Sequence, residues 1–183
     1  MIAILAEDVS DANSLKAIIR ARLGNISTKT KGYSGGGNLL NSAARDVKYF
    51  AGERASQIVI CKDADERSYS EVETEIQERV VAPSGYSSLC CVVVPVQELE
   101  SWLIADELAV REVIESFEFD GHASPETIQS PKEWLIKKSR QGRTQPLYSP
   151  KTFNEKVAAK LRHEVVAKKC PSFKRFLDRL SAK

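Results

Sequence analysis

Apolar residues come in short unbroken runs over the first half of the chain and at helical spacing over the second. Ile2–Ala6 is such a run, too brief for a helix and typical of a buried strand. The polar break EDVSD follows, and then Leu15, Ile18, Ile19 and Leu23 predict a helix over 12–23, stopped by Gly24. Residues 25–30 predict a short edge strand. The glycine-rich loop from Gly32 to Asn38 leads into a second helix over 39–50, which ends near Gly52. Residues 57–62 (QIVICK) predict a strand that runs straight into Asp63-Ala64-Asp65. A third helix is expected over 69–81, broken by Pro83-Ser84-Gly85. Residues 88–94 (SLCCVVV) are continuously apolar, which marks a strand buried on both faces.

Strands alternating with helices at this spacing imply right-handed crossovers and a mainly parallel sheet covered by helices. After Pro95 the strand signal stops. Residues 98–106, 107–116, 131–140, 150–168 and 172–180 all read as helical, with a loop over 119–130 and with Pro131 and Pro150 suited to first helical turns. At 183 residues the chain suits one compact domain, or one with an appendage. We expect an α/β domain over 1–106, its sheet complete by residue 96. A basic helical extension over 107–183 packs on it as one structural unit.

Composition narrows the class. Apolar residues make up 42% and charged residues 28%, which fits a globular core and argues against disorder or a rod. No run approaches the ~20 apolar residues of a membrane span, and acids follow the first six residues, so no signal peptide is expected. The expectation is a cytoplasmic protein with buried, reduced thiols at Cys61, Cys90, Cys91 and Cys170. Neighbouring Cys90 and Cys91 face opposite sides of a strand and cannot bridge. With no Cys-x-x-Cys and only the isolated His122 and His163, no zinc site is expected.

The charge is unevenly placed. Residues 1–128 hold 12 Lys/Arg against 21 Asp/Glu, a net −9, and residues 129–183 hold 15 against 4, a net +11. Two geometries follow: the halves neutralise each other, or they face one cleft side by side, acids holding cations and bases holding phosphates. Lys62, Lys137, Lys138, Arg140, Arg143 and Lys151, with Lys156, Lys160 and Arg162, are the candidates to track a nucleic-acid backbone; a solvated helical face is the alternative.

In an open parallel sheet, ligands bind beyond the carboxyl ends of the strands. Three predicted strand ends deliver acids there: Glu7 and Asp8, with Asp11 one turn on; Asp63 and Asp65; Glu98 and Glu100. Converging carboxylates repel unless protonated, paired with bases or filled by a cation, and all-oxygen donors select Mg²⁺ or Mn²⁺. Solvated, helix-capping loop acids are the plainer alternative. Gly35-Gly36-Gly37 lacks the Gly-Lys-Ser/Thr of a P-loop and reads as a turn before a helix, with backbone amides that could touch a phosphate. Trp102, within Trp-Leu-Ile, is expected in the core.

The order of ILAEDVSDANSL (4–15), GGGNLL (35–40), VICKDAD (59–65), VPVQELESWLIAD (94–106) and CPSFKRFLDRL (170–180) resembles TOPRIM (topoisomerase–primase) proteins. More narrowly it resembles small stand-alone members related to the OLD-family nucleases of bacterial defence. The resemblance implies a TOPRIM/Rossmann-like four-stranded parallel sheet and Mg²⁺-dependent phosphodiester cleavage. It makes Glu7 the general base or metal ligand, Asp63 and Asp65 metal ligands, and Glu98 or Glu100 the further acid of a two-metal site, with Asp11 beside them. Asp8 stands where the family usually has Gly, which leaves the number of metals open. Nucleic acid, DNA before RNA, is the implied partner, and a homo-oligomer is admitted. The alternative is a catalytically silent binding or regulatory module that partners a separately encoded ATPase.

Overall fold

A computed structural model describes residues 1–180; the last three residues of the predicted 107–183 extension lie outside it. The elements run β1 (Ile2–Ala6), α1 (Val9–Leu23), β2 (Thr28–Gly32), α2 (Gly36–Gly52), β3 (Gln57–Cys61), α3 (Tyr69–Ile76), the single turn α4 (Ala82–Ser84) and β4 (Cys90–Val93). Six helices follow: α5 (Glu100–Ile104), α6 (Glu107–Val113), α7 (Pro131–Ser139), α8 (Pro150–Ala158), α9 (His163–Lys169) and α10 (Pro171–Leu180).

The four strands form one all-parallel sheet in the order β2-β1-β3-β4. Their register pairs Ala6 with Gly32 on one side and with Cys61 on the other, and Cys61 with Val93. All four strands therefore end level, and the loops after them must share one edge.

Alternate strand residues feed two cores, as a period of two requires. Ala3, Leu5, Ile58, Ile60 and Val92 pack against α2 and α3. Ile4, Ala6, Val59, Cys61 and Val93 face α1 and the helices of the second half. Trp102 is fully buried there, as expected, T-shaped to Phe173 at 5.1 Å and stacked on Phe176 at 5.7 Å, with Nε1 donating to Ser172 Oγ at 2.8 Å. Cys61, Cys91 and Cys170 are buried thiols, and Cys90 is half-buried.

The differences from the expected boundaries have local causes. Helix α1 begins at Val9 rather than residue 12, because the Asp8 side chain accepts the Asp11 N–H at 2.9 Å and caps it. β2 runs to Gly32, beyond residue 30, and α2 begins at Gly36, taking up glycines read as loop. The helix after Tyr69 widens into a π turn over Gln77–Val81 just before Pro83, whose ring crowds the preceding turn and which has no N–H to donate. The strand expected over 88–94 is shortened by a 3₁₀ turn over Ser87–Leu89. The single helix expected over 150–168 is two helices. Its ladder breaks where the Arg162 N–H donates to Asp106 Oδ2 at 2.7 Å instead of to a helical carbonyl.

Both sheet edges are managed. β2 exposes Lys29 and carries the half-buried Lys31 two residues on, charges that discourage another strand from pairing. At β4, Arg179 of α10 donates to the Val92 carbonyl at 2.6 Å, and its own carbonyl accepts from Gln57 Nε2 at 3.3 Å. Among the described residues, no helix is long and apolar enough to cross a membrane.

Gly32 closes β2 against the start of α1. A Cβ there would lie 2.4 Å from the Val9 nitrogen and 2.5 Å from the Asp8 carbonyl carbon, both backbone atoms that cannot swing away. Gly32→Ala is expected to destabilise the fold by ~3 kcal/mol, at the upper end of overpacking costs, read as a lower urea midpoint. An unchanged midpoint would show that the two segments separate easily.

Candidate acidic site

The level strand ends are laced together by the loops that leave them. After β1, the Glu7 carbonyl accepts from Gly35 at 2.8 Å, drawing the β2–α2 loop inward. After β3, Ala64 donates to the Pro95 carbonyl at 3.0 Å and Asp65 to the Gln97 carbonyl at 3.2 Å, joining the loops after β3 and β4. Ser34, Asp65, Glu66 and Gln97 hold left-handed backbones, with φ of 53°, 47°, 68° and 63°. Four of the six such non-glycine positions among the described residues thus gather at this one edge, a concentration often found at functional sites.

The edge encloses a cleft of about 320 Å³, lined by Glu7, Asp8, Asp11, Asp63, Asp65, Glu98 and Glu100. All seven acids offered by three strand ends in the sequence are therefore brought together. Glu7 Oε1 accepts the Asp63 N–H at 3.0 Å and faces the Lys62 ammonium at 3.3 Å. Asp63 Oδ1 accepts the Leu99 N–H at 3.1 Å, so the loop after β4 fixes the acid after β3. Glu98 accepts the Lys132 N–H at 2.8 Å, with the Lys132 ammonium 3.6 Å away. Glu100 is 4% exposed and accepts from Asn154 Nδ2 at 3.0 Å, while Asn154 in turn accepts from the Tyr148 hydroxyl.

The electrostatics follow from crowding. Burial, then Asp8, Glu100 and Glu7, push the Asp11 carboxyl up to about 8. Burial, then Asp11, Glu100 and Glu7, raise Asp63 well above the usual carboxylate range. Glu100 is raised by burial, partly offset by its Asn154 hydrogen bond. Burial pulls the Lys132 ammonium down, yet Glu100, Glu98, Asp63 and Asp11 reverse this and leave it raised. Negative charge is in excess here. Among the described residues, no group of three or more His, Cys, Asp or Glu side chains is arranged to hold a metal ion as it stands.

The basic candidates separate. Lys62 is buried, 7% exposed, behind Glu7 rather than on the surface. Lys151 is exposed in a groove that adjoins the cleft through Asp8, Ser10 and Ser34. Lys137, Lys138 and Arg140 are exposed on and just after α7 and do not line the cleft. Arg143 lines a different cavity, beside Arg111 and Asp120. Lys160 pairs with Glu112 at 2.5 Å. Arg162, counted as a phosphate-tracking cation, instead grips the fully buried Asp106 through Nη2 at 2.6 Å.

Lys132, Tyr148 and Asn154 escaped the sequence reading. Lys132 had one usable signal, its place directly after the helix-starting Pro131, but it was one base among fifteen in residues 129–183. Tyr148 and Asn154 reach Glu100 only through tertiary packing, and no local pattern announces them.

No curated protein and no solved structure matches the chain. A family model matches residues 42–181, which includes Asp63, Asp65, Glu98, Glu100 and Lys132 and leaves Glu7 and Asp11 outside. With most of its length matched, the chain belongs to the family described as Domain of unknown function (DUF4276).

Proposed function

We propose that the protein is a Mg²⁺- or Mn²⁺-dependent phosphodiesterase that cleaves nucleic acid, DNA before RNA, in the cytoplasm, with defence against mobile elements as its setting. The observation that carries this reading is the charge imbalance of the cleft: seven carboxylates with one lysine, Lys132, lining it beside them. Such a set is relieved by protons or by a hard cation, and its donors are all oxygens. Glu7, Asp11, Asp63 and Asp65 would hold the ion, with Glu98 or Glu100 for a second. Side-chain rotation is needed, since no group of these acids is arranged to hold an ion as it stands. A bound divalent ion would supply Lewis-acid charge to a phosphate and acidify a water.

The chain's own groups support the same chemistry. Lys132 brings an ammonium to the cleft wall, where a phosphate oxygen would meet it. Helix α2 begins at Gly36 with no side-chain cap, and its N-cap Gly35 lines the same rim, where a helix start suits an anion. Lys151 extends positive charge along the adjoining groove. The resemblance to TOPRIM proteins points the same way.

The test is incubation of labelled single-stranded and duplex DNA and RNA with Mg²⁺, with Mn²⁺ and with EDTA. Metal-dependent cleavage of at least one substrate is expected, and identical traces with and without metal would overturn the reading. One observation favours a second reading, a catalytically silent module partnering an ATPase: Glu7 and Glu98 already face lysines. Absence of Mn²⁺ binding at millimolar concentration would select it.

A further inference from the structure

Lys62 carries a charge in a place where charge is costly. Its side chain is 9% exposed and the residue 7%, yet it does not line the cleft. A buried ammonium is tolerated only when its hydrogen-bonding groups are met. Three oxygens meet it: Glu7 Oε1 at 3.3 Å, the Asp63 carbonyl at 3.3 Å and Asp65 Oδ2 at 3.8 Å. Those oxygens belong to the acid after β1 and both acids after β3. The Asp63 N–H and the Lys62 ammonium converge on the same oxygen of Glu7.

Gly36 is the fourth part of the arrangement. A Cβ there would lie 2.9 Å from Glu7 Oε2 and 2.9 Å from Lys62 Cε. Its backbone is not left-handed, so alanine suits its conformation and helix position. The absent side chain is therefore explained by the room that Glu7 and Lys62 occupy.

We propose that Lys62 is a positioning residue: from behind the cleft it holds Glu7, Asp63 and Asp65 in one array, and Gly36 provides the space for it. The inference deepens the proposed metal site and rests on it for its function. Removing the ammonium has two opposed effects on a cation in the cleft. It takes away a repelling charge, and it releases three acids from a common anchor. The second effect is expected to dominate, because seven carboxylates already line the cleft, so one repelling charge matters less than the placement of the acids that would hold the ion. Removing an outer partner of metal ligands typically weakens affinity ~10–100-fold.

The experiment compares the full chain with Lys62→Met, Gly36→Ala and the double variant, using two readouts. Without metal, amide exchange at Asp63 is followed by NMR against Ile60 in the same strand. Both single variants are expected to speed exchange at Asp63 at least ~10-fold and leave Ile60 protected, since local opening is independent of global unfolding there. With Mn²⁺ alone as the probe, affinity is expected to fall ~10-fold or more in each single variant, with no further fall in the double, since both changes disrupt one arrangement. Unchanged Asp63 exchange overturns the proposal whatever the metal does. Unchanged or tighter Mn²⁺ binding in Lys62→Met overturns it too. If the native chain takes up no Mn²⁺ while Asp63 exchange responds as expected, the positioning array stands and the metal-dependent reading falls.

Discussion

Replacing Asp63 by Asn is expected to reduce metal-dependent strand cleavage by about a thousandfold, roughly 4 kcal/mol of barrier at ~1.4 kcal/mol per tenfold. Asp63 is placed by two neighbours at once: its N–H holds Glu7, and its Oδ1 accepts the Leu99 N–H. Asn keeps the backbone donor and retains an oxygen for Leu99, so the local shape is preserved. What it removes is the charge, and with it the ligand the proposed ion most needs. Because burial first, and then Asp11, Glu100 and Glu7, disfavour a charge on Asp63, a neutral side chain suits the metal-free fold. The variant should melt at or above the native temperature while losing activity, the trade expected where a site is built against stability. Cleavage at the native rate would remove Asp63 from the chemistry. Lost activity with a sharply lowered melting temperature would reassign it to the fold.

In EDTA, stability is expected to fall as pH rises from about 4 to about 8, and Asp11→Asn should flatten much of that slope. Asp11 is 9% exposed and its carboxyl is pushed up to about 8 by burial first and by Asp8, Glu100 and Glu7 after it. In the unfolded chain the same group ionises near 4. Between those values the native state retains a proton that the unfolded state has lost, so each rise in pH favours unfolding, by up to ~1.4 kcal/mol per pH unit for one such proton. Asp63 and Glu100 are shifted in the same direction and add to the slope. The Asn variant cannot ionise, so its advantage over the native chain should be absent near pH 4 and largest above about 8. Thermal melts across this range decide it. Native stability that is level with pH, or an Asn variant with the native slope, would show that the acids are relieved by something other than protons. Saturating Mg²⁺ should restore stability above about pH 8 and do little near pH 5, since an ion competes with those same protons.

Much of this site was legible before any coordinates. Continuous apolar runs marked β1, β3 and β4, and the acids directly after them could be assigned to one edge because parallel strands share a direction. Register did the rest: Ala6, Cys61 and Val93 end level, which turns three separated acidic stretches into one cleft. The tail was harder to read. Its bases form one class in sequence, whereas in space Lys132 enters the cleft, Arg162 is bound to Asp106 and Arg143 faces another cavity. Which base meets which acid depends on helix packing across 34 residues for Lys132 and Glu98 and 56 for Arg162 and Asp106, and charge counting carries none of that. The break at Arg162 was invisible for the same reason, since its cause is a carboxylate 56 positions away. Glycine spacing hid Gly32 and Gly36 as well: both looked like loop flexibility, and both are places where another group has taken the room of a side chain.

Arg179 gives the fold an order in time. The free edge of β4 is met from α10, 87 residues on, by a guanidinium on the Val92 carbonyl, while the Arg179 carbonyl receives Gln57 of β3. Phe173, Phe176 and Leu180 of the same helix complete the core around Trp102. A chain leaving the ribosome at ~5–20 residues per second exposes its fourth strand several seconds before those residues are made. Through that interval the sheet has an open edge and an unfilled aromatic pocket. Nascent chains stalled short of α10 are thus the population most exposed to chaperones and proteases, and the last turn of the last described helix sets when the molecule becomes safe.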